Sequence, residues 1–251
     1  MSGHSHWARI KRKKGATDAK RGRLFSKCAR AITVAARMGG GDPNTNLTLR
    51  YAMDDARAAN MTKESIERAL KKGTGELADE RPIAVVVYEG YAPGGVAVLA
   101  EGLTDNHNRT VGEINMIFQK HGGSIGRPGC VAWMFSAKGI FVTGPGQDEE
   151  RLMDVALAAG AEDLSETDGA FEIVCPPEAF ARVKQALEDA GVPLESAQLG
   201  QVPQNYVAVT SAADARKVLG LMESLEEHDD IQKVHANFDI AADLVEKLQN
   251  A

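Results

Sequence analysis

Apolar positions recur with a helical period from Thr17 to Met38. Phe25, Cys28, Ile32 and Ala35 fall on one side at about 100° per residue, and Lys20, Arg23, Lys27, Arg30 and Arg37 fall nearly opposite. One face is therefore built to pack and the other to present a cationic stripe. Gly39-Gly40-Gly41-Asp42-Pro43 stops this helix, since glycine suits the position just past a helix end. Asn44 or Asn46 can cap a second helix, roughly Leu47–Asn60. Thr62 is a good cap for a third, with Met61 and Ile66 spaced as a hydrophobic staple. That helix is expected to close on Lys71-Lys72 and Gly73.

Beyond a polar linker the period changes. Ile83–Glu89 and Val96–Thr104 are β-rich runs joined by Gly90-Tyr91-Ala92-Pro93-Gly94-Gly95. Thr110 and Glu113 have capping-box spacing for a helix carrying Val111, Ile114 and Phe118, which Gly122-Gly123 ends. Val131–Phe135 reads as a third strand. Then comes a complete β-α-β-β-α-β series: strand Ile140–Thr143, helix Asp148–Ala159, strands Glu162–Glu166 and Phe171–Cys175 around Asp168-Gly169, helix Glu178–Ala190, strand Leu194–Val202. This is the ferredoxin-like order. Strand Tyr206–Val209, helix Ala212–Glu227 and strand Val234–Ile240 follow.

The pieces on either side of that series are each too small to bury a core. Joined, they place two helices over one sheet. The expected fold is α+β: an N-terminal helical domain followed by two α/β sandwich domains, one ferredoxin-like and inserted into the other. The corresponding ranges are a basic arm 1–16, a helical domain 17–81, a discontinuous domain 82–136 plus 204–251, and an inserted domain 137–203.

Charge sharpens this picture. Residues 1–40 hold eleven Lys or Arg against one acid, Asp18, for +10, while residues 41–251 carry −16. A basic end on an acidic body reads as a nucleic-acid or anionic-surface arm, and the acidic remainder repels polyanions. The composition, 43% hydrophobic and 25% charged, is that of a globular protein, and no apolar run reaches the ~18 residues of a membrane span. Cys28, Cys130 and Cys175 are too few and too scattered for a disulfide framework, and read as reduced thiols.

The strongest chemical signal is Arg9-Ile10-Lys11-Arg12-Lys13-Lys14, whose bases neutralise phosphates without reading sequence, with Trp7 nearby to stack on a base. Arg21 adds to the helix stripe. His4 and His6 suit polar or phosphate contacts; two histidines do not make a metal site, and none is expected. Met38, Gly39, Gly40, Gly41 and Asp42 are either a helix–helix turn or a loop whose backbone approaches phosphates. They lack the Gly-Lys-Ser/Thr ending of a nucleotide-hydrolysing loop. Asn106, Asn108 and Arg109 form a secondary polar cluster before a helix, readable as capping or as an anion contact. There is no Gly-x-Ser-x-Gly elbow and no cysteine nucleophile with a matched base, so no enzyme is expected.

Gly3-His4-Ser5-His6-Trp7 with Ile10-Lys11, Gly40-Gly41-Asp42-Pro43-Asn44, Tyr88-Glu89-Gly90-Tyr91, Pro93-Gly94-Gly95-Val96-Ala97, Asn108-Arg109-Thr110 and Val131-Ala132-Trp133-Met134-Phe135 together resemble the YebC family. Two positions depart from its pattern: His6 stands where lysine is usual and His107 where arginine is usual. The resemblance implies a three-domain cytoplasmic protein without catalysis or cofactor, and, since it starts at Gly3, no transit peptide. It implies a nucleic-acid partner and no membrane. Family members carry a DNA-binding, transcriptional label, while mitochondrial members look like translational activators and bacterial relatives are linked to the ribosome. The basic segment lacks base-reading Asn or Gln, so ribosomal RNA is the favoured target and DNA the alternative. The acidic C-terminal domains offer surfaces for protein partners.

Overall fold

In the computed structural model, the described residues are 18–77, 82–167, 169–241 and 244, with 18–20 and 167 described by backbone alone. Helix α1 (Asp18–Gly39), α2 (Leu47–Ala58) and α3 (Lys63–Gly73) pack around Ile32, Leu49, Ala56 and Ile66. Asn46, not Asn44, caps α2 by accepting from Leu49 N at 3.1 Å, and Thr62 caps α3 through Ser65 N. Gly73 does not follow α3 but ends inside it. A Cβ there would lie 2.5 Å from Thr33 O and 2.6 Å from Ala36 Cβ, so the glycine lets α3 close on α1. The left-handed position falls instead on Gly75, at φ +82°.

The first sheet has the order β3-β1-β2-β9, built from β1 (Ala84–Ala92), β2 (Val96–Thr104), β3 (Ser124–Ile125) and β9 (Ile231–Ala236). Helices α4 (His107–Lys120) and α7 (Ala212–Glu227) cover one face, burying Ile114, Phe118, Leu221 and Leu225 against Val98 and Ala100. A two-stranded parallel pair, β8 (Val207–Ala208) with β10 (Phe238–Asp239), extends this core.

The second sheet has the order β5-β6-β4-β7, all antiparallel, from β4 (Phe135–Thr143), β5 (Asp163–Thr167), β6 (Ala170–Cys175) and β7 (Leu194–Pro203). Helices α5 (Glu149–Ala159) and α6 (Phe180–Asp189) pack on it around Phe141, Leu152, Ile173 and Leu187. The order is that of a ferredoxin-like sandwich, interposed between strands of the first sheet. The turn residue Asp168 lies outside the described residues.

Two expectations are corrected here. Val131–Phe135 is not a strand: Ala132–Met134 is a 3₁₀ turn, and the third strand of the first sheet is the short β3. Its apolar residues serve a different packing, with Val131 and Phe135 buried on Ala97 and Leu99. Thr110 does not cap α4 either. Asn106 does, accepting from Arg109 N at 3.2 Å, while Thr110 sits buried in the first turn.

The helical domain touches both sandwiches. Tyr51 on α2 meets Phe180 edge-on, with ring centroids 5.1 Å apart, and Phe180 stacks on Phe141 at 4.8 Å. The other contact is ionic and involves the residues expected to bind phosphate.

Candidate nucleic-acid interface

His4, His6, Trp7, Arg9, Lys11, Arg12, Lys13 and Lys14 lie outside the described residues, and Lys20 is described by backbone alone. The rest of the expected cationic stripe divides. Arg21 and Arg37 are exposed. Arg23, Lys27 and Arg30 turn toward the C-terminal end of α7. Arg23 lies 3.8 Å from Glu227, and Lys27 donates to Glu226 O at 2.6 Å. Arg30 donates to Asp230 Oδ1 at 2.5 Å and to Asp229 O at 3.1 Å. Carbonyls at a helix C-terminus carry partial negative charge, so this end of α7 attracts bases even before its acids are counted. The spacing of the three bases therefore serves docking within the chain as well as display.

Asp230 is the centre of that contact. It is 1% exposed. Its Oδ2 accepts from Arg109 Nη2 at 2.7 Å, and the hydroxyls of Thr110 and Thr104 lie at 2.7 and 3.1 Å. Burial opposes the charged form. Hydrogen bonds from Thr110, Arg109 and Arg30, with the charge of Arg30, override burial and bring Asp230 down to about 2. Its own N–H donates to His228 Nδ1 at 3.1 Å, which leaves His228 Nε2 to donate to Glu113 at 3.0 Å. The polar cluster, readable from sequence as capping or as an anion contact, does both within the chain: it caps α4 and already holds a carboxylate. Asn106 is spent on capping, and Arg109 also pairs with Asp105 at 3.0 Å. His107 lies parallel to Tyr88, with ring centroids 6.4 Å apart.

Each glycine of the Gly39–Gly41 loop answers a geometric demand. A Cβ on Gly39 would come within 2.6 Å of the Asn46 amide, which donates to Ala35 O and Gly40 O at 2.8 and 2.9 Å. Gly40 has φ +85°, and a Cβ on Gly41 would meet Thr74 Cγ2 at 2.6 Å. The turn explains all three. It also holds Met38 outward at 78% exposure. Asp42 braces it by accepting from Asn44 N at 2.9 Å.

A groove of about 400 Å³ runs between α1 and α3, lined by Phe25, Ala29 and Met61 together with Arg30, Arg68 and Lys72. Arg68 and Lys72 were not singled out from sequence, although their i, i+4 spacing on α3 puts them side by side. Nor were Asp230 and Glu89, whose partners lie far away along the chain.

Cys28 and Cys175 are buried, and burial raises both thiols, Cys175 to about 11. Among the described residues no group of three or more His, Cys, Asp or Glu is placed to hold a metal, and no helix is long and apolar enough to cross a membrane.

Comparisons with known proteins place this geometry in context. Residues 5–76 match the family model described as the TACO1/YebC protein N-terminal domain, and residues 83–238 that of the TACO1/YebC second and third domain. The chain is 51% identical over 248 residues to "Probable transcriptional regulatory protein GSU1074" of Geobacter sulfurreducens, covering 99% of this chain and 100% of the relative. It is 49% identical to a "Probable transcriptional regulatory protein" of Dictyoglomus turgidum, with the same coverage. Its fold matches the crystal structure of the conserved hypothetical protein Aq1575 from Aquifex aeolicus, with TM-score 0.84 and 47% identity over 94% of this chain and 97% of that one.

Proposed function

The chain belongs to the TACO1/YebC family, and on that premise we propose that it is a non-catalytic, nucleic-acid-binding regulator of gene expression that acts on DNA as a transcriptional regulator. The names of its relatives support DNA and transcription. The observation that carries the nucleic-acid part is the charge division, +10 in residues 1–40 against −16 in the rest. Such an arm supplies affinity through phosphates and counterion release, while the acidic body keeps the polyanion at one end. With Arg23, Lys27 and Arg30 engaged by α7, the segment Arg9–Lys14 bears the larger share.

One observation favours a second reading. No Asn or Gln occurs in residues 1–40, so the basic segment carries phosphate contacts and lacks the amide side chains that read adenine edges. Recognition by shape and phosphate suits ribosomal RNA, and the protein would then be a translation factor.

Gel shift on duplex DNA and co-sedimentation with ribosomes, at the same salt, separate the two. Removing Ser2–Lys14 takes away five bases and should cut the slope of log K against log salt by roughly 3.5–4.5. An unchanged slope would mean those bases do not meet phosphate. Ribosome binding without DNA binding would replace the first reading with the second.

A further inference from the structure

Trp133 is 65% exposed, yet it is not a loose side chain. It stands on the 3₁₀ turn Ala132–Met134, between Val131 and Phe135, which are 0% and 7% exposed. Its indole Nε1 donates to Cys130 O at 3.1 Å, and Tyr91 Oη donates to the same carbonyl at 3.1 Å. Beneath the turn lies the carboxylate of Glu89, 7% exposed. Oε1 accepts from Gly129 N at 2.6 Å, and Oε2 from Val131 N and Ala132 N, both at 2.8 Å. Burial works against that charge, but the three N–H groups hold Glu89 below its ordinary value.

A buried carboxylate, two apolar anchors and a tyrosine hydroxyl are thus all spent on the loop that carries one outward aromatic ring. Fixing the ring in advance lowers the entropy lost when something docks on it. With its N–H already satisfied, the indole offers a partner its flat faces. Arg127 is exposed on the same loop, and its carbonyl accepts from Cys130 N at 3.1 Å, so the cation and the ring both hang from Cys130. The local sequence is basic, with the single buried acid Glu89 turned onto backbone N–H groups and Lys138 paired with Glu162 at 2.5 Å. From Ile114 to Gln147 there is no Asp or Glu, in a body that is otherwise strongly acidic, and Lys120, Arg127 and Lys138 fall in that stretch.

We propose that Trp133 and Arg127 form a second nucleic-acid contact, in which an unpaired base stacks on the indole while the guanidinium takes a flanking phosphate. An exposed π-face on the same short loop as an exposed cation, with the one nearby carboxylate buried and satisfied by backbone N–H groups, suits single strands bound without reading their sequence. The ligand class is a single-stranded segment of RNA or DNA, whose bases are open to stacking as those of a duplex are not. This rests on the nucleic-acid reading above and adds to it that the bound strand includes unpaired bases.

The test uses the full chain. Trp7 and Trp133 are its two tryptophans, so Trp7→Phe leaves Trp133 as the sole emitter. Oligo(U) and oligo(dT) of about twelve nucleotides, and a duplex of the same length, are titrated against it. Binding is followed in parallel by anisotropy of the labelled strand. The single strands should quench Trp133 and the duplex should not; comparing the two oligomers shows whether RNA or DNA is preferred. Trp133→Ala should weaken single-strand binding at least about fivefold, Trp133→Phe should keep most of it, and Arg127→Gln should flatten the salt slope by about 0.7. Anisotropy showing binding with no quenching and no loss in Trp133→Ala would overturn the inference and leave the nucleic-acid reading standing. Quenching by apolar peptides and not by oligonucleotides would make the platform a protein-docking site, and the inference would be wrong. Failure of every strand and duplex to bind would overturn both.

Discussion

Arg30 on the first helix donates to Asp230 across 200 positions of sequence, at 2.5 Å, and the carboxylate it meets is almost wholly buried. The Arg30 side chain is 30% exposed, so the pair sits at the rim of the contact between the helical domain and the first sandwich. Thr104 from the end of β2 and Thr110 from the first turn of α4 close around the same carboxylate. Three segments thus converge on one charge. A buried carboxylate is tolerated when hydrogen bonds and opposite charge replace its water, and here they do.

Acid should loosen this junction. Asp230 titrates at about 2 in the folded chain against 3.8 ordinarily. A depressed folded value means its stabilisation is complete above the unfolded value and is lost as pH falls between about 4 and 2. The shift corresponds to about 2 kcal/mol. Asp230→Asn should therefore lower stability by about that amount at neutral pH. Between pH 4 and 2, urea midpoints of the variant should fall less steeply than those of the parent chain. Parallel pH curves for the two would show that Asp230 carries no such linkage.

Glu89 makes a sharper case, because its partners are all backbone. Glu89→Gln removes the charge and turns half of the acceptor into a donor facing N–H groups. Losing charge-assisted bonds to Gly129, Val131 and Ala132 should cost roughly 2–4 kcal/mol. The folded value is held down, so the parent's advantage over Glu89→Gln is present near neutrality and shrinks as acid protonates Glu89. The local signature is the emission of Trp133. Steady-state anisotropy of the indole in a Trp7→Phe background should drop in the Gln variant, even at temperatures where far-UV circular dichroism is unchanged.

These two carboxylates also show where reading a sequence stops. The cap at Thr62 was legible, and that of α2 was narrowed to Asn44 or Asn46, because cap and capped N–H lie three residues apart, whereas Asp148 was read as the first helical residue and is the cap before it. The β-α-β-β-α-β order was legible because each element carries its own period. Val131–Phe135 was misread as a strand because its apolar alternation serves burial in a turn, and the turn is held by Glu89, some forty residues earlier. Thr110 was misread as a cap because its real partner, Asp230, is a hundred and twenty residues later. The basic stripe of α1 was legible as a stripe. That half of it faces the end of α7 depends on how two domains meet, which no local pattern encodes.

Glycines separate turn chemistry from packing. Gly22 lies inside α1, exposed, and a Cβ there meets nothing within 4 Å. Gly22→Ala should raise stability by about 0.5–1 kcal/mol through helix propensity alone. Gly39→Ala should do the reverse, because its Cβ displaces the Asn46 amide that both caps α2 and ties down the end of α1. Loss of that cap alone is about 1 kcal/mol. Thermal melts of the two variants should therefore shift in opposite directions. A stable Gly39→Ala chain would show that the loop tolerates a side chain there and that Asn46 can move aside.

The last prediction concerns competition for the bases of α1. Arg23 and Glu227 are 3.8 Å apart and both well exposed, at 39% and 43% of their side chains. Such a pair contributes little to stability, about 0–1 kcal/mol, so Glu227→Gln should melt within a degree or two of the parent. Its effect on polyanion binding should be larger in kind. While Glu227 is charged, a phosphate approaching Arg23 must share the guanidinium with a carboxylate. Removing that charge returns one base to the binding set, which should tighten binding and steepen the salt slope by about 0.7–0.9. Arg23→Gln in the same background should restore the parent slope, since the base returned is then gone. The measurement is a salt titration of DNA and RNA binding for the three chains. If Glu227→Gln leaves the slope unchanged, the α7 end and nucleic acid do not draw on the same base, and Arg23 serves docking alone.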